Sequence, residues 1–180
     1  YDDPKYIFQG SYSFLYQGFL DQRIVNVRGQ FDAKERKDLL QTFSGSIGHP
    51  IKMRAFGADA RLDLSIGLNA GHCRSNQNTY DAVFSQYVAD AYSYWSLGAG
   101  PGANLSWGDP KQPSWLSGSF RWSRQSFLGR RTQDGDGVYS SAKQRQDRYV
   151  LAFGYGHAIA PNLTLTLRSS FLWAASNQKY

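Results

Sequence analysis

The chain has 180 residues, with 16% aromatics and 19% charged residues, and a single Glu35 and a single Met53 stand against 12 Tyr, 11 Phe, 5 Trp, 20 Ser and 18 Gly. So few helix formers beside so many strand formers argue against a helical bundle and most α/β enzymes. The net charge is +6, and 13 of the 20 basic residues are Arg; such a surface suits phosphate, carboxylate or lipopolysaccharide partners, and no basic run or recognition helix points to nucleic acid.

From the N-terminus, Tyr6, Phe8, Gly10, Tyr12, Phe14 and Tyr16 alternate with Gln9, Ser11, Ser13 and Gln17, the period of a strand with one dry and one wet face. Weaker copies run through Val25–Phe31 and Leu39–Ile47. Gly48-His49-Pro50 reads as a hairpin turn. The clearest segment is Arg54 to Ala70. There Phe56, Ala58, Ala60, Leu62, Leu64, Ile66, Leu68 and Ala70 face one way, and Asp59, Arg61, Asp63, Ser65 and Asn69 face the other. Ala91 to Trp107 alternates Trp95, Leu97, Leu105 and Trp107 with Tyr94, Ser96 and Asn104. Leu116–Ser123 carries Phe120 and Trp122 on its dry side, Arg148–Gly156 carries Tyr149 and Phe153, and Leu163–Trp173 carries Leu165, Leu167, Phe171 and Trp173. That makes eight candidate strands. Gly108-Asp109-Pro110 and Ala160-Pro161-Asn162 read as tight turns, and Asp32–Asp38, Gly71–Asp90 and Gly129–Gln146 as long polar connections. Short connections at one end and long ones at the other are the organisation of an outer-membrane barrel.

The expected fold is therefore all-β: an antiparallel up-and-down transmembrane β-barrel in one domain, 1–180, about eight strands visible, either closing on themselves or forming part of a larger barrel. No apolar stretch approaches the ~18 residues of a membrane helix, but alternating strands escape that criterion. Alternation alone leaves two functions open: a non-enzymatic outer-membrane pore, secretion conduit or anchor, and a soluble lipocalin-like barrel enclosing a hydrophobic ligand. Long strands, aromatics at the ends of the dry faces, and wet faces of Gly, Ser and Gln favour the membrane. The lumen would then be lined by Arg28, Arg54, Asp59, Arg61, Asp63, Arg121 and Arg168, either as a ladder tuning ion passage or as paired charges filling a narrow interior. Lipid would meet Phe56, Leu62, Leu64, Ile66, Leu68, Trp95, Trp107, Phe120, Trp122, Tyr149, Phe153, Leu165 and Trp173. Arg130, Arg131, Lys143 and Arg145 beside the Asp134-Gly135-Asp136-Gly137 segment suit lipopolysaccharide phosphates, or are a solvated loop; the acidic segment itself reads as a turn.

No cofactor or metal is expected. His49, His72, His157 and Cys73 have no zinc spacing, and one cysteine makes no internal disulfide. Outer-membrane acyl hydrolases place a His two residues before a Ser-Asn pair; here Ala174 precedes Ser176-Asn177, leaving that serine without a general base. A chain that starts at Tyr1 reads as a processed product or a fragment.

Arg145-Gln146-Asp147-Arg148-Tyr149, Ala160-Pro161-Asn162-Leu163 and Ser176-Asn177 resemble the end of a known barrel type, that of the surface lipoprotein assembly modifiers and related porins that follow a tetratricopeptide domain. The likeness covers about the last 40 residues. In that family a further strand closes the barrel on a terminal aromatic, whereas this chain stops at Tyr180 after a polar stretch, and it carries no helical repeat. The resemblance implies a partial barrel serving passage of a protein or polysaccharide across the outer membrane.

Overall fold

A computed structural model describes residues 5–109, 111–160 and 162–179; Pro110 and Pro161, from the two expected tight turns, lie outside the described residues. The fold is all-β. Among the described residues nine strands follow in order: β1 (Ile7–Val25), β2 (Phe31–Ala55), β3 (Ala58–Ser75), β4 (Thr79–Asp81), β5 (Gln86–Val88), β6 (Tyr94–Trp107), β7 (Ser114–Gln133), β8 (Tyr139–Ala160) and β9 (Leu163–Ser176). Seven form one antiparallel sheet in the order β1-β2-β3-β6-β7-β8-β9, and β4-β5 is a separate small hairpin. The sheet curls into a half-barrel. Its edge strands β1 and β9 each pair on one side only. With seven alternating directions, these two edges run the same way.

Several boundaries differ from the sequence reading. Val25–Phe31 is not a strand of its own: Val25 ends β1, Phe31 opens β2, and residues 26–30 are the turn between them. In it Asn26 Oδ1 accepts the Arg28 and Gln30 amides at 2.9 and 3.1 Å, with Gly29 at φ 76°. Gly48-His49-Pro50 is no turn: β2 runs straight through it, Pro50 opposite Asp63. Among the described residues β1 pairs with β2 only as far as Gly48, so Pro50 stands past the paired part of β1, a place where a missing amide is tolerated. The hairpin instead closes at Phe56-Gly57, with φ 53° and 79°, the two-residue geometry whose twist matches its strands. The expected loops Asp32–Asp38 and Gly129–Gln146 are strand for most of their length. Between β7 and β8 only a short turn remains, where Asp134 Oδ1 accepts the Asp136 and Val138 amides at 3.0 and 2.9 Å. It repeats the Asn26 device, again with glycine at the fourth place, Gly137 at φ 81°.

The β2–β3, β6–β7 and β8–β9 connections, all short, lie at one end of the sheet (the short-turn end); the long β3–β6 connection lies at the other, flanked by the β1–β2 and β7–β8 turns. Register fixes the faces. Gln9, Ser46, Ser65, Gly102, Ser119, Ala152 and Ser170 line the concave side, and the opposite parity forms the convex side. The convex side carries an apolar belt, Ala60 to Ala70 on β3 and Trp95 to Trp107 on β6 marking its height. It lacks cover: Phe8 is 74% exposed, Leu68 61% and Leu167 69%. Beyond the belt, toward the long connection, the strands continue for about ten residues.

Most of the buried side chains sit in that extension or in the connection above it. Ile24, Cys73, Ser75, Val88, Ala91, Ser93, Thr132 and Asp147 are all buried there, while Ala60, Ser114 and Ala158 lie at the short-turn end. Among the described residues no large apolar side chain is enclosed at the level of the belt.

Candidate functional site

The concave face forms a polar trough. Toward the short-turn end, a hollow of about 960 Å³ is lined by Gln9, Arg61, Asp63, Asn104, Ser117 and Arg168 among others. Next to it a hollow of about 700 Å³ is lined by Ser11, Thr42, Ser44, Asn69, Arg121 and Ser123. Glycines at Gly67, Gly100 and Gly102 keep the wall low. At Gly100 there is no choice of residue: a β-carbon would lie 2.0 Å from the Phe120 carbonyl oxygen and 2.8 Å from Arg121 Cα.

Arg61 Nε donates to Asp63 Oδ1 at 2.8 Å along the same strand face, so the expected central charge binds one flanking carboxylate. Asp59 lies opposite Arg54 across the hairpin, and Arg54 Nη2 reaches the Gly57 carbonyl at 3.5 Å. Arg121 and Arg168 point into the two hollows. Arg28 sits in the β1–β2 turn, beyond the trough.

Above the belt the trough narrows around a ladder of arginines and rings. The Arg36 guanidinium lies 4.4 Å from the Phe19 ring centre and 4.5 Å from that of Tyr92. Arg130 takes the next rung, 4.5 Å from Tyr92 and 4.6 Å from Phe127, and its Nε donates to the Ala91 carbonyl at 2.7 Å. Asp38 binds Arg36 through Nε at 3.1 Å and Nη2 at 2.5 Å, and accepts the Ser75 hydroxyl. Ser93 joins in, taking the Ser75 amide at 2.9 Å and donating to its carbonyl at 3.1 Å. The long connection is thus tied across the concave face, with Cys73 buried beneath it. None of this ladder is visible in the sequence, where Phe19, Arg36, Tyr92 and Arg130 share no spacing.

The same connection is tied on its outer side. Asp81 Oδ1 accepts the Val83 amide at 2.9 Å, and Oδ2 accepts the Tyr139 hydroxyl at 2.8 Å; the Phe84 ring meets Tyr139 edge-on at 5.9 Å. The Tyr139 hydroxyl holds the Asp81 carboxyl below the usual carboxylate range. Burial, then the hydrogen bond to Asp81, pushes Tyr139 up to about 12. Both groups lie outside the belt.

The residues expected to meet lipid share the convex face. Trp122, Tyr149 and Trp173 stand in register across three strands, the last two stacked at 5.9 Å. Phe56 meets Trp107 at a tilt, ring centres 4.8 Å apart, by the β2–β3 turn, and His72 stacks on Trp95 at 4.2 Å at the opposite limit of the belt. Leu62, Leu64, Ile66, Leu68, Phe120, Phe153 and Leu165 lie between these aromatic limits on the same parity. Just past the upper limit, Asp147 accepts Arg124 Nε at 2.8 Å, Arg124 Nη2 at 3.1 Å and the Trp122 indole at 3.0 Å. Arg131 pairs with Lys143 across β7 and β8, and Arg145 follows two residues on. Arg130 does not join them; it turns to the concave ladder.

Two possible catalytic groups are consumed structurally. Ser176 Oγ donates to the Arg145 carbonyl at 3.2 Å, and Asn177 accepts the Arg145 amide at 2.7 Å while donating to the Lys143 carbonyl at 2.9 Å. The pair continues the β8–β9 ladder where β9 ends. Ser114 Oγ and His157 Nδ1 lie 2.8 Å apart, a serine–histidine contact that the sequence reading missed. Among the described residues no group orients the other ring nitrogen, as an activated serine requires; the contact joins cross-strand partners. Likewise, no described cluster of His, Cys, Asp and Glu could hold a metal ion. Compared with protein-family models, with curated proteins and with solved structures, the chain finds no match.

Proposed function

We propose that this chain is a wall of a non-enzymatic β-barrel of the bacterial outer membrane, a pore, secretion conduit or anchor with a polar lumen. One observation carries the reading: the uncovered face of the curled sheet is a continuous apolar belt bounded by aromatics, and the enclosed face is hydrophilic. In water such a belt far exceeds the few hundred Å² of apolar patch a soluble monomer exposes. Against lipid it is the expected outer surface.

Dimensions agree. The eleven residues from Ala60 to Ala70 span about 36 Å of strand, and a tilt of about 45° lowers this to about 25 Å, the height of an outer-membrane apolar band. The Trp and Tyr rings at its limits suit the headgroup level, where one end of a ring is dry and the other wet. Most of the buried groups lie past the belt toward the long connection, where a water-exposed part needs its own small interior. Arg131, Lys143 and Arg145 stand just above the aromatic limit, within reach of lipopolysaccharide phosphates. A lipocalin-like container needs the apolar parity on the concave side; here that side holds Ser, Gly, Asn and Arg.

Exported in a Gram-negative host, the protein should fractionate with the outer membrane, need detergent for extraction, and migrate differently on gels before and after boiling. Recovery from the soluble fraction without detergent contradicts the reading.

A further inference from the structure

We infer that the conduit prefers hydrophilic anions, and that Arg121 and Arg168 carry the preference; this rests on the membrane reading proposed above. The trough's charges are not balanced. Among the described residues its carboxylates Asp63, Asp59 and Asp38 stand beside Arg61, Arg54 and Arg36. Among the described residues, neither Arg121 nor Arg168 lies within ion-pairing distance of a carboxylate.

Each stands at the height of the belt. Arg121 is the one charged side chain in a 700 Å³ hollow whose other walls are hydroxyls, amides, glycine and a single leucine. Arg168 lies beside Gly154 across the β8–β9 pair, facing the larger hollow. A guanidinium keeps its charge at any accessible pH, and a low-dielectric wall strengthens its field. The counter-charge must then come from the solution as a mobile anion. The planar fork fits carboxylate or phosphate oxygens in pairs. The surrounding Ser, Thr and Asn groups can replace the water of a hydroxylated solute, so acids bearing hydroxyl groups fit this wall better than bare apolar acids.

The test is the reversal potential of the purified full-length protein in planar bilayers under a KCl gradient, with folding of each variant checked by boiling-sensitive gel migration. Chloride should permeate better than potassium. Arg121→Gln and Arg168→Gln should each lower the chloride-to-potassium ratio at least about twofold, since each removes one unit charge from the wall. Arg121→Lys and Arg168→Lys, which keep the charge, should retain the ratio. Channels that prefer potassium, or a ratio unmoved by both glutamine changes, overturn this inference and leave the membrane reading standing. Protein that inserts yet gives no channel events overturns the conduit reading, and the inference with it.

Discussion

The guanidinium of Arg36 on β2 lies 4.5 Å from the ring of Tyr92, a residue of the long connection that enters β6. Arg130 covers the other rung at the same distance. Tyr92 is therefore the shared plank of two cation–π contacts, each worth about 0.5–2 kcal/mol. Tyr92→Ala removes both and should free the connection by about 1–3 kcal/mol. Cys73 lies buried below and reports on this directly. In folded protein its reaction with a maleimide should speed up roughly tenfold in Tyr92→Ala, each tenfold corresponding to about 1.4 kcal/mol. Tyr92→Phe keeps the ring and should protect Cys73 as the native residue does. Equal rates in all three would mean that the ladder does not hold the connection.

The second tie responds to pH. Tyr139 is pushed up to about 12, so its hydroxyl stays protonated in the folded protein where a free tyrosine begins to ionise. Its stabilising contribution is complete below about pH 10 and disappears as pH rises toward 12. Asp81 is shifted the other way; its contribution is present above about pH 4 and is lost as pH falls below that. Proteolysis within 79–88 should thus be slow in a plateau between these limits and accelerate outside it. Tyr139→Phe should abolish the alkaline limb. An alkaline limb that survives in Tyr139→Phe argues for another cause.

At Gly100 a single methyl group meets backbone atoms on β7. Because neither the Phe120 carbonyl nor Arg121 Cα can step aside alone, Gly100→Ala should cost about 1–3 kcal/mol or more and reduce the boiling-sensitive, folded fraction on gels. Gly18→Ala, where nothing lies within 4 Å, is the matched control and should fold normally. Loss of folding in both variants would point to a general intolerance rather than to the β6–β7 approach.

The two faces of β3 predict opposite responses to the same residue. Ile66→Arg places a charge on the convex belt and should cost about 2–4 kcal/mol when the protein folds into a bilayer. Ser65→Arg, one residue away and facing the trough, should cost far less. Refolding into vesicles at graded denaturant separates them; similar midpoints for both variants would contradict the assignment of faces.

How much of this was legible without coordinates follows from where water is. Within the belt every strand has one apolar and one polar side, so the parities of Ala58–Ala70, Tyr94–Trp107 and Leu163–Trp173 could be read directly, and the concave and convex sets agree with them; the expected strand from Ala91 starts only at Tyr94, because residues 91–93 belong to the long connection. Beyond the belt the strands carry polar residues on both faces. Asp32–Asp38 and Gly129–Gln146 thus lost their period and looked like loops, although β2, β7 and β8 run through them. Phe56 hid a turn because a bulky aromatic rarely takes a positive φ, and Pro50 suggested one, although it lies within β2 past the paired part of β1 among the described residues. In the trough, the Arg61–Asp63 pair followed from two-residue spacing. The Phe19–Arg36–Tyr92–Arg130–Phe127 ladder did not, since only the strand order brings residue 92 between 36 and 130.

The orientation of β3 is tested most directly by spin labels at Leu64→Cys and Asp63→Cys, each in a Cys73→Ala background and reconstituted in vesicles. Collision with oxygen, which concentrates in acyl chains, is compared with collision with a water-soluble nickel chelate. A label at position 64 should meet oxygen and escape the chelate, and its neighbour at position 63 should do the reverse. The opposite pattern, or chelate access at both positions, would contradict a sheet that turns its apolar face to lipid.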